Sequence, residues 1–324
     1  MGFIDVSVVI PTFRRPDLLG RCLDAIAGQT LNRARFEVIV VDDEGSKLTR
    51  QLVDSRSFQY ARTEKNSGPA AARNVGWKIA QGDIIAFTDD DTVPDRDWLI
   101  SGFSAVTSEV IAVWGKVVVP VPDRPRDYER EQARLSQAGF VTANCFCRKA
   151  ALIEIGGFDE KYRLAWREDS ALYFDLLKLE ESKGGTGRKV VYNAAAIVVH
   201  PIKPVPWGDS VRSQKKAMYN ALLYKKSGRL YRQHIQKLPP VLYYLVVISA
   251  SLSVCWASLG HKDAAKMTGV LCTSLFAFFF GKRVRGLNKS ISHMFEMVVT
   301  SLVIPFMSIF WRLRGAVKYK VLFL

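Results

Sequence analysis

The chain has 324 residues, of which 48% are apolar and 24% charged, and its formal net charge is +15. That apolar share excludes a disordered chain and is enough for a sizeable core in one large or two small domains. Five cysteines with no CxxC pair exclude a disulfide framework and a metal knuckle. Cys145 and Cys147 alternate as neighbours on one strand face and read as buried thiols. A basic excess suggests nucleic acid until its location is known. Residues 1–200 hold 27 basic and 28 acidic side chains, whereas residues 201–324 hold 19 and 3. The excess therefore falls in the third that carries the longest apolar runs, so a membrane surface is expected and a nucleic-acid partner is not.

In chain order, no secretory signal is expected, because Asp5 and Pro11 interrupt a run too short for an h-region. VSVVI (6–10) reads as a buried strand, 17–28 as a helix with Leu18, Leu19, Leu23 and Ile26 on one side, and FEVIVVDD (36–43) as a strand. A helix over 47–54, a strand FQYARTE (58–64), a helix over 68–80 and a strand DIIAFTDDD (83–91) follow. Strand and helix alternate, which predicts an α/β fold with a mainly parallel sheet. Further strands are expected at VIAVWGKVVVP (110–120), VTANCFCRKA (141–150) and VVYNAAAIVVH (190–200). Helices are expected over 151–157, over 168–180 and, strongly basic, from Asp209 to about Lys226.

Parallel α/β sheets bind ligands outside the C-terminal ends of their strands. The polar residues here sit at those ends: Pro11, Thr12 and Arg14, then Asp42 and Asp43, then Asp89, Asp90 and Asp91. Neither GxGxxG nor GxxxxGK[ST] follows a strand, which weakens a nicotinamide or P-loop reading. Three acids in succession repel one another unless a cation neutralises them, and hard oxygen ligands suit Mg²⁺ or Mn²⁺ with a substrate phosphate. Asp89 and Asp91 can point to the same side, and a neutral His200 could complete the site with Asp91. Asp43 could accept from a base N–H, Asp42 could cap a loop, and a cation at Arg14 could meet a phosphate. Glu168 and Asp169 open a helix, where carboxylates also serve as ordinary caps. A base facing a bound donor would sit at such an edge. Trp166 could stack on a sugar face or a lipid head.

A strand ending VVDD, a later one ending TDDD, a WREDS segment and a last strand ending VVH resemble, in that order and spacing, the inverting family 2 glycosyltransferases with the GT-A fold. The resemblance runs from about residue 5 to 226, and GPAAARNVGW (68–77) is similar to the family's helix near the nucleotide, which places Arg73 in donor binding. It implies that Thr12 and Asp43 hold the base and its surroundings, with Pro11, Arg14 and Asp90 lining the donor. Asp89 and Asp91 match DxD, Asp91 ligating the Mn²⁺ or Mg²⁺ and Asp89 lying near ribose and phosphate. His200 matches a further metal ligand. Asp169 would be the general base, and Glu168 would orient it or contact the acceptor. The family's VDDGS reads VDDEG here (41–45), and no QxxRW occurs in 212–226, which implies one sugar added per encounter rather than a polymer.

The C-terminal third opens with PPVLYYLVVISASLSVCWASLG (239–260), 22 residues without a charge and long enough to span a bilayer core. Two shorter runs follow, 267–280 and 297–311, with basic clusters at 282–289 and 312–320. The positive-inside rule favours a hairpin of the first two and an interfacial or embedded third. Expected domains are therefore 1–230, with the GT-A fold, and 231–324, a membrane-associated helical region that holds the first on the cytoplasmic face. The leading expectation is metal-dependent inverting transfer from a nucleotide sugar to a lipid-linked saccharide or glycolipid. Alternatives are a polyprenyl-phosphate glycosyltransferase and a non-catalytic membrane-bound nucleotide-sugar binding module. Membrane lipids are expected partners, and exposed apolar helix faces allow homo-oligomers.

Overall fold

The computed structural model describes residues 4–182 and 188–323. Contacts divide the chain into two compact units. Residues up to Pro120 with Ala133–Ile202 form a sheet unit, and Val121–Gln132 with residues from Lys203 onward form a helical unit. The contacts thus change hands after Ile202, where the sequence places the boundary near 230.

The sheet unit begins β1 (Val6–Thr12), α1 (Pro16–Ala27), β2 (Phe36–Asp42), α2 (Lys47–Asp54), β3 (Gln59–Arg62), α3 (Pro69–Ile79) and β4 (Ile84–Phe87). It continues through a two-residue β5 (Val93–Pro94), α4 (Trp98–Ala105) and β6 (Val110–Val118). The chain then passes through α5 (Asp127–Ala133), most of which belongs to the helical unit. It returns as β7 (Cys145–Arg148), α6 (Lys149–Ile155), α7 (Glu168–Ser182) and β8 (Lys189–Val199). The eight strands run in the order β3-β2-β1-β4-β7-β6-β8-β5.

The sheet is mixed but mostly parallel. The pairs β1–β2, β1–β4, β2–β3 and β6–β8 are parallel, and β4–β7, β6–β7 and β5–β8 antiparallel. Both faces are covered, so central strands are apolar throughout and successive side chains enter different cores. Val8, Ile10, Val38 and Val40 pack on one face with Leu19, Leu23 and Trp98. Val9, Ile39 and Val41 pack on the other with Ala70, Ala72, Leu152 and Leu172. Cys22, Cys145 and Cys147 are buried, and burial pushes the Cys22 thiol up to about 12, so it stays a thiol.

Several elements depart from the expectation. The fourth strand ends at Phe87, so Asp89, Asp90 and Asp91 lie in the turn beyond it. The expected strand 141–150 is a 3-10 turn, Thr142–Asn144, then the short β7. Asn144 explains the break. Its amide donates to the carbonyls of Lys116 and Ala196 at 2.9 and 2.8 Å and accepts from Trp98 Nε1 at 2.8 Å, bridging the irregularity between β6 and β8.

The helical unit contains α8 (Asp209–Arg212), α9 (Met218–His234), α10 (Val241–Ser258), α11 (Lys262–Val284) and α12 (Ile291–Tyr319). The single basic helix expected from Asp209 is instead α8, a 3-10 stretch Ser213–Ala217, and α9 with a non-helical Ser227. By length and composition α10, α11 and α12 are each able to cross a membrane. The segment Val121–Gln132 is tied into this unit by charge. Arg283 of α11 pairs with Asp127 and donates to Thr300 and Ser301 at 2.9 Å, and Arg130 donates to the Arg283 carbonyl at 2.6 Å.

Candidate active site

Chain reversal after β4 gathers the three acids with residues from distant strand ends. Thr12, the last residue of β1, donates its hydroxyl to Asp90 Oδ2 at 2.8 Å. Arg15 Nη1 lies 3.3 Å from Asp90 and 2.9 Å from Asp91. Arg73 of α3 places Nη2 2.6 Å from Asp89. Two guanidinium groups therefore meet the charge that the sequence assigns to a cation alone. The pairing of β5 with β8 joins Val93 to Val199, which sets His200 Nε2 3.2 Å from Asp91 Oδ1.

The loop after β2 supplies the opposite rim. Asp42 accepts from the backbone N–H groups of Glu44 and Ser46 at 2.9 and 2.7 Å and from Tyr60. Asp43 accepts from the Thr63 hydroxyl and from the N–H groups of Ser67 and Gly68 at 2.6, 2.9 and 2.8 Å. Asp43 is thus a loop cap as much as Asp42 is. Gly68 has φ +89°, and a Cβ there would meet the Arg163 carbonyl at 2.4 Å, so the chain can pass only as glycine. Arg14, at φ +58°, turns to Glu44 at 2.6 Å and is largely exposed.

The start of α7 faces the same centre. Arg73 Nη1 reaches Glu168 Oε1 at 3.4 Å, while Glu168 Oε2 is buried and has no hydrogen-bond partner among the described residues. Burial, then the adjacent Asp169 charge, raises the Glu168 carboxyl to about 7, against the pull of Arg73. Burial also raises Asp169, which Arg167 and the Ser170 N–H partly offset. Asp169 Oδ1 accepts from that N–H at 2.6 Å. Arg167, just before the two acids, has φ +74° and lies 4.7 Å over the ring of the partly exposed Trp166. Left-handed backbone at a residue with a side chain carries strain and often marks functional turns.

The residues brought together are Thr12, Arg73, Asp89, Asp90, Asp91, Glu168 and His200. Asp43 shapes the adjoining loop, Pro11 is buried within β1, and Arg14 points to Glu44. Nothing local in the sequence links Arg15 to acids 75 residues away. Among the described residues no group of three His, Cys, Asp or Glu is arranged to hold a metal. Asp91 and His200 are a facing pair, an oxygen and an imidazole, which suits a hard divalent ion whose remaining ligands are phosphate and water.

Residues 7–159 match the model described as Glycosyl transferase family 2. The chain is 30% identical to glycosyltransferase AglE of Haloferax volcanii over 168 residues, covering 47% of this chain and 55% of that protein. It is 29% identical to pre-mycofactocin glycosyltransferase of Mycobacterium tuberculosis over 303 residues, covering 86% and 57%. It thus spans little more than half the length of these curated relatives. The mannosyltransferase PcManGT from Pyrobaculum calidifontis, solved with GDP-Man and Mn²⁺, shares the fold at TM-score 0.54 and 18% identity, over 97% of this chain and 86% of that one. Sheet, flanking helices and sequence define a GT-A-type protein. The family 2 match covers residues 7–159, a little under half of the chain, and long apolar helices follow in the C-terminal third.

Proposed function

We propose that the protein transfers a sugar from a nucleotide-sugar donor, with inversion, to a lipid-linked saccharide or glycolipid at the cytoplasmic membrane face. The observation that carries the reading is Arg73, whose one guanidinium joins Asp89 of the DxD motif to Glu168 of the WREDS segment. Donor-side and acceptor-side acids are thereby fixed at one centre, as a single displacement requires.

In this reading Thr12, Asp43, Arg14 and Asp90 line the donor, and Asp89 lies near ribose and phosphate. Asp91 and His200, with Asp89, would hold Mn²⁺ or Mg²⁺, which would offset the charge on the departing nucleoside diphosphate. Asp169 accepts the proton of the acceptor hydroxyl, and Glu168, pinned by Arg73, positions it. Trp166 offers an exposed face to a sugar ring. The GDP-Man and Mn²⁺ bound to PcManGT support the donor and metal classes. The exposed apolar helices support an acceptor held in the membrane.

The test is a panel of nucleotide sugars screened on the full chain in lipid nanodiscs. The expected result is a stability rise with one nucleotide class that requires Mn²⁺ or Mg²⁺. Transfer should be lost in Asp169→Asn, with donor binding kept. Full transfer by Asp169→Asn would overturn the base assignment, as expected if the acceptor is an already ionised phosphate. No nucleotide binding at all would overturn catalysis.

A further inference from the structure

α12 satisfies the length and composition of a membrane span, yet its contacts forbid one. It is 29 residues long, about 43 Å at 1.5 Å per residue, more than the thickness of a hydrocarbon core. A crossing helix of that length would leave its two ends in opposite water layers. Both ends are instead held by one short polar stretch. Near the start, Glu296 accepts from the Gly208 N–H at 2.7 Å. Near the end, Lys225 Nζ donates to the Tyr319 carbonyl at 2.8 Å. Between them a Cβ on Gly315 would meet the Met218 carbonyl at 2.7 Å, and Arg312 donates to Gln236 at 3.2 Å.

The stretch 208–226 therefore runs alongside much of α12. It carries Asp209, Arg212, Lys215, Lys216, Lys225 and Lys226. Each such charge is costly to place at the centre of a bilayer. A spanning α12 would drag these charges through the lipid. An α12 lying flat keeps them in water.

The faces of α12 agree. The side packed inward includes Thr300, Ser301, Ser308 and Arg312, all buried. The side turned outward is an apolar stripe, Phe295, Leu302, Phe306, Phe310, Leu313 and Val317, each 39–79% exposed. The buried side mixes these polar groups with Met297, Ile304 and Ile309, whereas the outward side is a continuous row of large apolar side chains with nothing among the described residues to cover it, which fits lipid. Arg314 and Lys318, one turn apart on the last turns, can reach phosphate headgroups. The α10–α11 hairpin meets α12 through Arg283, which donates to Thr300 and Ser301, and through Phe276, whose ring lies 6.3 Å from that of Phe306.

We propose that α12 is an in-plane helix whose apolar stripe docks on the acyl-chain boundary of a bilayer, and that α10 and α11 alone cross. The residues before Val241 and those after Val284 then share one side. All basic residues from Lys282 to Lys320 face the same anionic leaflet, which a third crossing would split.

The test uses the full chain in sealed vesicles of phosphatidylethanolamine and phosphatidylglycerol. Tags are placed before residue 1 and after residue 324. Spin labels are placed at Phe295→Cys, Phe306→Cys and Val317→Cys, with Cys255 and Cys272 replaced by serine. Both tags should be cleaved by external protease in the same vesicle population, and all three labels should lie at one shallow depth. Tags on opposite sides overturn the proposal. So does a deep central label between two shallow ones, or labels that meet only water. These readouts do not depend on catalysis, so they stand or fall apart from the glycosyl-transfer reading.

Discussion

His200 Nε2 lies 3.2 Å from Asp91 Oδ1 because a two-residue strand, β5, pairs with the last residues of β8. An acid and an imidazole 109 positions apart thereby face each other at one edge of the sheet. His200→Ala should raise the Mn²⁺ concentration needed for half-maximal transfer by roughly 10–100-fold, the scale for losing support at a metal site. Chelation of divalent ions should abolish transfer in the wild type, and added Mn²⁺ should restore it. Transfer of radiolabelled sugar across a Mn²⁺ titration reads both effects, and an unchanged midpoint in His200→Ala would remove His200 from the site.

Arg73 is 3% exposed and is shared between Asp89 and Glu168. Arg73→Met would leave two carboxylates facing without their cation. Breaking a buried pair in this way costs about 3–5 kcal/mol, which in a domain of this size lowers the melting temperature by roughly 10 °C. Arg73→Lys restores one charge but not the two-armed geometry, so it should recover part of the stability and little of the donor affinity. Calorimetric titration with nucleotide and a melting curve separate the two effects.

The proton on Glu168 links stability to pH. Burial raises its carboxyl from 4.5 to about 7, so the folded chain holds the proton more tightly than the unfolded one. Its contribution is full below about pH 4.5 and is lost as pH rises toward 7. The melting temperature of the wild type minus that of Glu168→Gln should therefore fall across that window and then level. Asp169 is shifted in the same direction, so the two titrate as a pair. The rate of transfer should rise with pH along an acid limb above the ordinary carboxylate range, and that limb should move to lower pH in Glu168→Gln. A pH profile unchanged by that substitution would count against the coupling.

Gly68→Ala tests the rim that Asp43 caps. The substitution meets a left-handed φ and the Arg163 carbonyl at 2.4 Å. Strain of about 1–3 kcal/mol is expected before any clash is relieved. Donor affinity should fall at least tenfold, while the far helices keep their ellipticity. Asp43→Asn, which keeps one acceptor oxygen but not the charge, should give a smaller loss in the same titration.

The sequence makes the acid-bearing strand ends legible because they obey two simple rules, a continuous apolar run where both faces of a strand are covered and ligand binding at strand ends. VVDD and TDDD meet both, and WREDS falls at a helix start. Arg15 was invisible because its link to Asp90 and Asp91 depends on how the first and fourth strands lie side by side. β5 was invisible because two residues have no periodicity. The antiparallel insertion of β7 is not legible in the sequence, because an apolar run does not state its direction. For α12 the charges flanking the run already favour an interfacial or embedded segment over a third span, but which of its faces is covered is legible only in its contacts.

The chain passes between its two units at three places, after Pro120, after Gln132 and after Ile202. A stop codon after Ile202 would therefore not release a clean soluble fragment. It would leave Asp127 and Arg130 dangling from the sheet unit, cut off from Arg283. A crystallisable or assayable soluble version needs two edits, the truncation and a short linker in place of 121–132. The same stitching makes any insertion in that segment a change to both halves of the protein at once.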